Sequence, residues 1–94
     1  MYYEAILQLR PINKTLIEFA LQQIKNSDCN IVKEEELKTG INLYLSSKRF
    51  AVTLTKRLKK KFNGTVKVTK TLHTRDRQTS KNVYRITICF RLKQ

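Results

Sequence analysis

The sequence predicts an α+β fold, an antiparallel sheet of about five strands with two helices on one of its faces. Apolar and polar residues alternate in five segments, and apolar residues recur at helical spacing in two others. The segments follow in the order β-α-β-β-α-β-β. This order fits a split β-α-β arrangement, ferredoxin-like, with an extra C-terminal strand added at an edge. We expect one compact domain over residues 1–94.

The chain opens with a predicted strand and a predicted helix. Residues 3–10 form the strand, whose inward side chains are Tyr3, Ala5, Leu7 and Leu9. The helix follows Pro11, and its apolar stripe consists of Leu16, Ile17, Ala20, Leu21 and Ile24. Thr15 and Glu18 fit a capping box at the start of this helix, with Asn13 as the competing cap.

Two strands are predicted next, one acidic and one apolar. Residues 31–37 form the weaker strand, which carries Glu34, Glu35 and Glu36. Consecutive strand residues point to opposite faces, so these carboxylates do not converge on a metal. We interpret them as a solvated edge that discourages aggregation. Gly40 then marks a turn into residues 41–45, where the alternation is clean.

The second helix is predicted to start at Ser46 or Ser47, either of which fits an N-cap. Its apolar stripe consists of Phe50, Ala51, Leu54, Leu58 and Phe62. Asn63 and Gly64 are expected to end this helix, because both residues tolerate left-handed backbone geometry.

The chain ends with two predicted strands and the loop between them. Residues 65–72 form the first strand, with Val66 and Val68 directed inward, and residues 73–82 form a polar loop. The last strand alternates most regularly, with inward side chains Tyr84, Ile86, Ile88, Phe90 and Leu92.

Positive charge is concentrated in the second half of the chain. Residues 1–47 hold five basic and six acidic side chains, whereas residues 48–94 hold fifteen basic side chains and one acid, Asp76. The net charges of −1 and +14 give the overall +13. Such an asymmetry attracts polyanions, whereas solubility alone favours interspersed signs. We therefore expect a nucleic-acid partner.

The sequence offers little for catalysis, so we expect no enzyme, no cofactor and no small-molecule substrate. His73 is the single histidine, and it lies near Asp76 on a predicted loop. A small ribonuclease would need these groups held in fixed geometry with a further acid or metal. Cys29 and Cys89 have no neighbouring Cys or His at a metal-ligand spacing, which predicts no metal site.

Two groups of cations are the candidate nucleic-acid contacts. In the second helix, Arg49, Lys56 and Lys60 share the side opposite Leu54 and Leu58, a spacing that suits a run of phosphates. The helix candidates are Lys48, Arg49, Lys56, Arg57, Lys60 and Lys61. The candidates from the terminal hairpin are Lys67, Arg75, Arg77, Lys81, Arg85 and Arg91.

Tyr44 is the candidate for stacking an unpaired base, as on sheet-based RNA-binding domains, although ordinary surface packing also explains it. Other functions fit the same charge. A small basic DNA-binding protein shares the phosphate contacts, and an adaptor or oligomerisation module would bind an acidic protein or a second copy. No apolar run approaches the roughly 18 residues of a membrane span, and no signal peptide opens the chain. We therefore expect no membrane partner and a cytoplasmic location.

Three parts of the chain resemble one known family. They are residues 2–10 (YYEAILQLR), residues 40–47 (GINLYLSS) with Ala51, Leu54 and Leu58, and a final part made of Lys70, Leu72, Asp76, residues 83–87 (VYRIT), Arg91 and Leu92. In this order and spacing they resemble the central domain of archaeal members of the large-ribosomal-subunit export adaptor family, named after nonsense-mediated decay. The resemblance spans essentially the whole chain.

The resemblance implies a protein that binds the large ribosomal subunit and contacts ribosomal RNA, in ribosome biogenesis or translation. In eukaryotes the family bridges nascent large subunits to the nuclear export receptor. This sequence lacks the family's upstream Cys-x-x-Cys zinc ligands, its downstream barrel-like domains and its export signals, so the export activity is not assigned to it. It also has Asn42 where the family usually has Asp. We expect either an excised middle domain or a short stand-alone relative.

Overall fold

The computed structural model describes residues 3–76 and 81–93, with side chains described over residues 3–71 and 84–93. Helices and strands follow one another in the predicted order, which confirms the α+β class. They are β1 (Ala5–Arg10), α1 (Lys14–Lys25), β2 (Ile31–Leu37), β3 (Gly40–Leu45), α2 (Lys48–Lys61), β4 (Gly64–Asp76) and β5 (Lys81–Leu92).

The strands form one mixed sheet in the order β2-β3-β1-β5-β4. Three neighbouring pairs are antiparallel, but β1 and β5 run parallel, with Leu7 opposite Ile88 and Leu9 opposite Phe90. The prediction of an antiparallel sheet is therefore wrong for one pair of strands. The edge is formed by β4, not by the C-terminal strand β5 as predicted. The reason is apolar burial, since β5 supplies Ile86, Ile88 and Phe90 to the core and gains most from an inner position.

Both helices pack on the same face of the sheet, as predicted. Buried helix residues are Leu16, Ala20 and Ile24 from α1 and Ala51, Leu54, Thr55 and Leu58 from α2. The strands contribute alternate side chains to the same core, namely Ala5, Leu7, Leu9, Ile41, Leu43, Leu45, Ile86, Ile88 and Phe90. Intervening positions point to the other face of the sheet, which no helix covers within the described residues. We call it the open face.

Side-chain caps fix where both helices begin. Asn13 caps α1, and its Oδ1 accepts a hydrogen bond from the Leu16 N–H at 3.0 Å. The competing capping box that starts at Thr15 is therefore not used. Ser47 caps α2, where its Oγ accepts a hydrogen bond from the Phe50 N–H at 3.1 Å. Each cap satisfies a backbone donor of the first turn that has no partner inside the helix.

The end of α2 differs from the sequence prediction. Instead of a left-handed ending at residues 63–64, Phe62 adopts an extended conformation after the helix, and Gly64 begins β4. Glycine is required at this position by close packing. A Cβ on Gly64 would lie 2.6 Å from the Arg91 carbonyl oxygen and 2.7 Å from Cζ of Phe90.

The β4–β5 hairpin is longer than predicted. Residues 73–76 and 81–82 of the expected loop belong to the two strands, and residues 77–80 lie outside the described residues. Val68 and Tyr84 occupy expected inward positions but are 54% and 40% exposed. Val68 lies on the edge strand β4, which has a neighbour on one side only, and Tyr84 precedes Ile86, where the pairing of β5 with β1 begins. An inward position in the alternating pattern of the hairpin strands therefore does not guarantee that a side chain is buried.

Replacing Leu54 tests the packing beneath α2. Leu54 is fully buried, so Leu54→Ala is expected to lower the free energy of unfolding by about 2–5 kcal/mol through the cavity it leaves. Val52 lies on the same helix and is 40% exposed, and Val52→Ala is expected to cost no more than about 0.5 kcal/mol. Urea unfolding followed by circular dichroism measures both changes. Equal losses in the two variants would contradict this packing.

Candidate nucleic-acid interface

Three cations follow the outer side of α2. Arg49, Lys56 and Lys60 are exposed and lie opposite the buried Leu54 and Leu58, as the helical period predicts. At a rise of about 1.5 Å per residue, the positions of Lys56 and Lys60 lie about 6 Å apart along the helix axis. We call Arg49, Lys56 and Lys60 the α2 ridge.

The positive charge of the α2 ridge is not neutralised within its helix. The sequence of α2, KRFAVTLTKRLKKK, contains no acidic residue, so no carboxylate lies one turn away from any ridge cation. Among the described residues, no ion pair involves the ridge. Its charge is therefore available to an external anion.

Two other candidate cations of α2 turn towards α1. The Arg57 Nη1 donates a hydrogen bond to Oε1 of Gln23 at 2.8 Å. The Lys61 Nζ lies 4.5 Å from the ring centroid of Phe19, a cation–π contact. These contacts tie the two helices together, so Arg57 and Lys61 lie beside the ridge rather than on it.

The N-terminus of α2 already has a carboxylate. The backbone N–H of Lys48 donates a hydrogen bond to Oε1 of Glu4 at 2.9 Å, and Ser47 caps the Phe50 N–H. An acidic group at this end of a helix interacts favourably with the helix dipole. The capacity of α2 to bind an anion therefore lies in its side chains rather than in its first turn.

The hairpin candidates described in side-chain detail lie on the open face. Lys67, Arg85 and Arg91 occupy the positions between inward residues of β4 and β5, and Lys67 is paired with Cys89. The α2 ridge lies beyond the opposite face of the sheet. The α2 ridge and these three cations therefore form two surfaces that face away from each other, not one continuous surface.

Three candidates at the far end of the hairpin have no described side chain. Arg75 and Lys81 lie within β4 and β5, where Arg75 is paired with Asn82 and Lys81 with Asp76. Arg77 lies outside the described residues. Their contribution to binding stays a prediction.

A group of aromatic and basic side chains meets on the open face. Tyr3 and Tyr44 pack edge to face, with ring centroids 4.9 Å apart and an interplanar angle of 86°. The guanidinium carbon of Arg85 lies 3.8 Å from the ring centroid of Tyr3, and its Nε donates to the Tyr3 carbonyl oxygen at 2.9 Å. The Lys33 Nζ lies 5.3 Å from the ring centroid of Tyr44. We call these four residues the tyrosine cluster.

Sequence reasoning placed only part of this cluster. Tyr44 and Arg85 were expected on the outer face, but Tyr3 was expected to point inward by extension of the β1 alternation. The regular strand begins only at Ala5, after a bend at Glu4 that breaks the alternation. Tyr3 consequently joins the outward side chains. Lys33 could not be assigned to the cluster from the sequence, because its contact with Tyr44 depends on the pairing of β2 with β3.

Arg10 is a further cation that the sequence did not assign to any role, and internal contacts bind it. Its Nη2 donates to Oδ1 of Asn42 at 2.7 Å, and its Nη1 donates to the Ile41 carbonyl oxygen at 3.2 Å. The Asn42 Nδ2 donates in turn to Oε1 of Glu35 at 2.9 Å. Gly40 leaves room for this arrangement, because a Cβ there would lie 2.8 Å from Cδ and Nη1 of Arg10. The network joins β1, β3 and β2.

The described part of the chain contains no cluster of three or more His, Cys, Asp or Glu residues suited to a metal ion. Cys29 is buried and Cys89 is half-buried, and both are free thiols. Within that same part, no helix is long and apolar enough to cross a membrane.

Fold and charge together define a small basic α+β domain. The family model described as NMD3, second domain, matches residues 2–92. The chain therefore belongs to the NMD3 family, which acts on the large ribosomal subunit, and it corresponds to the second domain of that family. The resemblance seen in the sequence is thereby confirmed. No curated protein matches the chain.

Removing the central amide of the Arg10 network tests its contribution to stability. Asn42 is 6% exposed, and Asn42→Ala leaves a guanidinium donor without its acceptor. The free energy of unfolding is expected to fall by about 1–3 kcal/mol. Gln8 lies opposite Asn42 on β1, and Gln8→Ala is the control, with a change of no more than about 0.5 kcal/mol. A smaller loss for Asn42→Ala than for Gln8→Ala in urea unfolding would refute the assignment.

Proposed function

We propose that this chain binds ribosomal RNA on the large ribosomal subunit, in ribosome biogenesis or translation, without a catalytic step and in the cytoplasm. The α2 ridge is the observation that carries the proposal. It places three exposed cations on one side of a helix that contains no acid. Membership of the NMD3 family points to RNA as the polyanion that these cations bind, because the large subunit is built largely on RNA.

The spacing of the ridge suits a phosphate backbone. Lys56 and Lys60 are separated by about one helical turn, close to the distance between successive phosphates along one RNA strand. Arg49 lies two turns before Lys56 on the same side of α2. Lys48, Arg57 and Lys61 extend the positive field around the helix. Binding to such a surface releases condensed counterions and therefore weakens steeply with salt.

Ribosomal RNA is favoured over the alternative partners. A DNA-binding protein would use the same phosphate contacts, but membership of a family that acts on the large subunit favours RNA. An acidic ribosomal protein would present isolated carboxylates, which fit a regular row of cations less well than phosphates do. A pull-down of ribosomal proteins by this chain that survives nuclease treatment would favour such a protein partner.

The α2 ridge is tested by replacing Arg49, Lys56 and Lys60 together with Gln. We expect co-sedimentation with purified large subunits to weaken, and the slope of log K against log salt to decrease by about two to three. The matched control replaces Lys14, Lys25 and Lys38 with Gln, which removes the same charge from the first half of the chain. A loss in the control as large as in the ridge variant would contradict a specific role for α2.

The hairpin end is tested separately with Arg75, Arg77 and Lys81 replaced by Ala. Arginine pairs with phosphate oxygens in a bidentate manner, so we expect weaker binding to large subunits and a flatter salt dependence. Circular dichroism and thermal unfolding should remain close to those of the unaltered protein. Unchanged binding of this variant would remove the hairpin end from the proposed interface and leave α2 as its basis.

A further inference from the structure

We propose that the tyrosine cluster on the open face is a stacking site for an unpaired RNA base, separate from the α2 ridge. The inference rests on the proposed RNA-binding function and extends it to the kind of RNA segment that this face takes. It also assigns Tyr3, Lys33 and Arg85 a shared role with Tyr44.

The planar groups of the cluster are held in place before any ligand arrives. Arg85 is fixed by its hydrogen bond of 2.9 Å to the Tyr3 carbonyl oxygen, and its guanidinium stacks over the Tyr3 ring at 3.8 Å. Tyr44 is braced edge to face against Tyr3 at 4.9 Å. Little side-chain entropy remains to be lost on binding, because these contacts already restrict the rotamers.

The cluster has planar surface left for a ligand. Tyr3, Tyr44 and Arg85 are each only partly buried. A guanidinium has two flat sides, and one side of Arg85 stacks on Tyr3. Bases stack on tyrosine rings and on arginine planes whatever their sequence, because every base presents a π face.

The surroundings of the cluster suit a nucleic-acid backbone. One row of paired residues crosses the sheet. It runs from Lys33 on β2 through Tyr44, Ile6 and Thr87 to Thr69 on β4. Lys67 and Arg91 lie further along β4 and β5 and are exposed. The described acid on this part of the face, Glu35, accepts the hydrogen bond of Asn42. The face therefore offers cations for phosphates and hydroxyl groups for sugars.

An unpaired segment fits this face better than a duplex does. Stacking needs a base whose flat side is free, and bases inside a duplex are already stacked on each other. The α2 ridge, in contrast, presents a row of cations that suits phosphates of any RNA. Because the two surfaces face away from each other, the unpaired segment is not part of a duplex seated on α2.

Variants of Tyr44 separate stacking from charge and from folding. Tyr44→Ile removes the ring and keeps a good strand former, whereas Tyr44→Phe keeps the ring. Tyr84→Ile is the control. Tyr84 alternates with Ile86 and Ile88, which places it on the face opposite the open face, and it is 40% exposed. Thermal unfolding first establishes that each variant is folded. Fluorescence anisotropy then measures affinity for a labelled oligouridylate of about ten nucleotides and for an RNA duplex.

Tyr44→Ile is expected to weaken oligouridylate binding about tenfold, in line with the effect of removing one base-stacking ring. The oligouridylate affinities of Tyr44→Phe and Tyr84→Ile should remain within about twofold of that of the unaltered protein, since both variants keep an aromatic ring at position 44. Duplex binding should be the same in all four proteins. A variant that loses stability but not oligouridylate affinity would assign the cluster a purely structural role.

Equal oligouridylate affinity of Tyr44→Ile and the unaltered protein overturns the inference, as does an unaltered protein that binds the duplex only. Failure of the proposed function looks different. In that case the Gln variant of the α2 ridge still co-sediments normally with large subunits, whatever the Tyr44 variants do with oligouridylate. Absence of binding to both RNAs and to large subunits overturns both proposals.

Discussion

The parallel pairing of β5 with β1 determines the layout of the whole molecule. It places Ile88 and Phe90 beside Leu7 and Leu9, and these four side chains are at most 1% exposed. Two helices cover this apolar row on one face of the sheet. Among the cations of the second half of the chain, Arg49, Lys56 and Lys60 lie on the outer side of α2, and Lys67, Arg85 and Arg91 lie on the open face. Because β5 lies beside β1, Arg85 reaches Tyr3 and the tyrosine cluster can form on the open face.

Much of the fold was predictable because it depends on local patterns. Strand and helix positions follow from apolar periodicity, and Ser47 was among the expected caps. The strand order was not predictable in the same way, because β4 and β5 both alternate and local sequence does not say which of them lies beside β1. Exposure of Val68 on the edge strand follows from that order and was missed for the same reason.

The candidate site was predictable only where one element supplies it. The α2 ridge lies within one helix, so its period alone places Arg49, Lys56 and Lys60 on one side. The tyrosine cluster combines β1, β2, β3 and β5, and it depends on their register. Arg10 illustrates the opposite case, since a cation that charge counting treats as available is held by Asn42 and Ile41. Net charge therefore overstates the surface that is free to bind phosphate.

Lysine reactivity towards an acylating reagent, read by mass spectrometry with and without bound large subunits, tests whether the α2 ridge contacts the subunit. Binding is expected to protect Lys56 and Lys60 strongly, because phosphates would cover the α2 ridge. Lys14, Lys25 and Lys38 in the first half of the chain should react equally in both states. Protection of those three lysines while Lys56 and Lys60 remain fully reactive would rule out the α2 ridge as the surface that contacts the subunit.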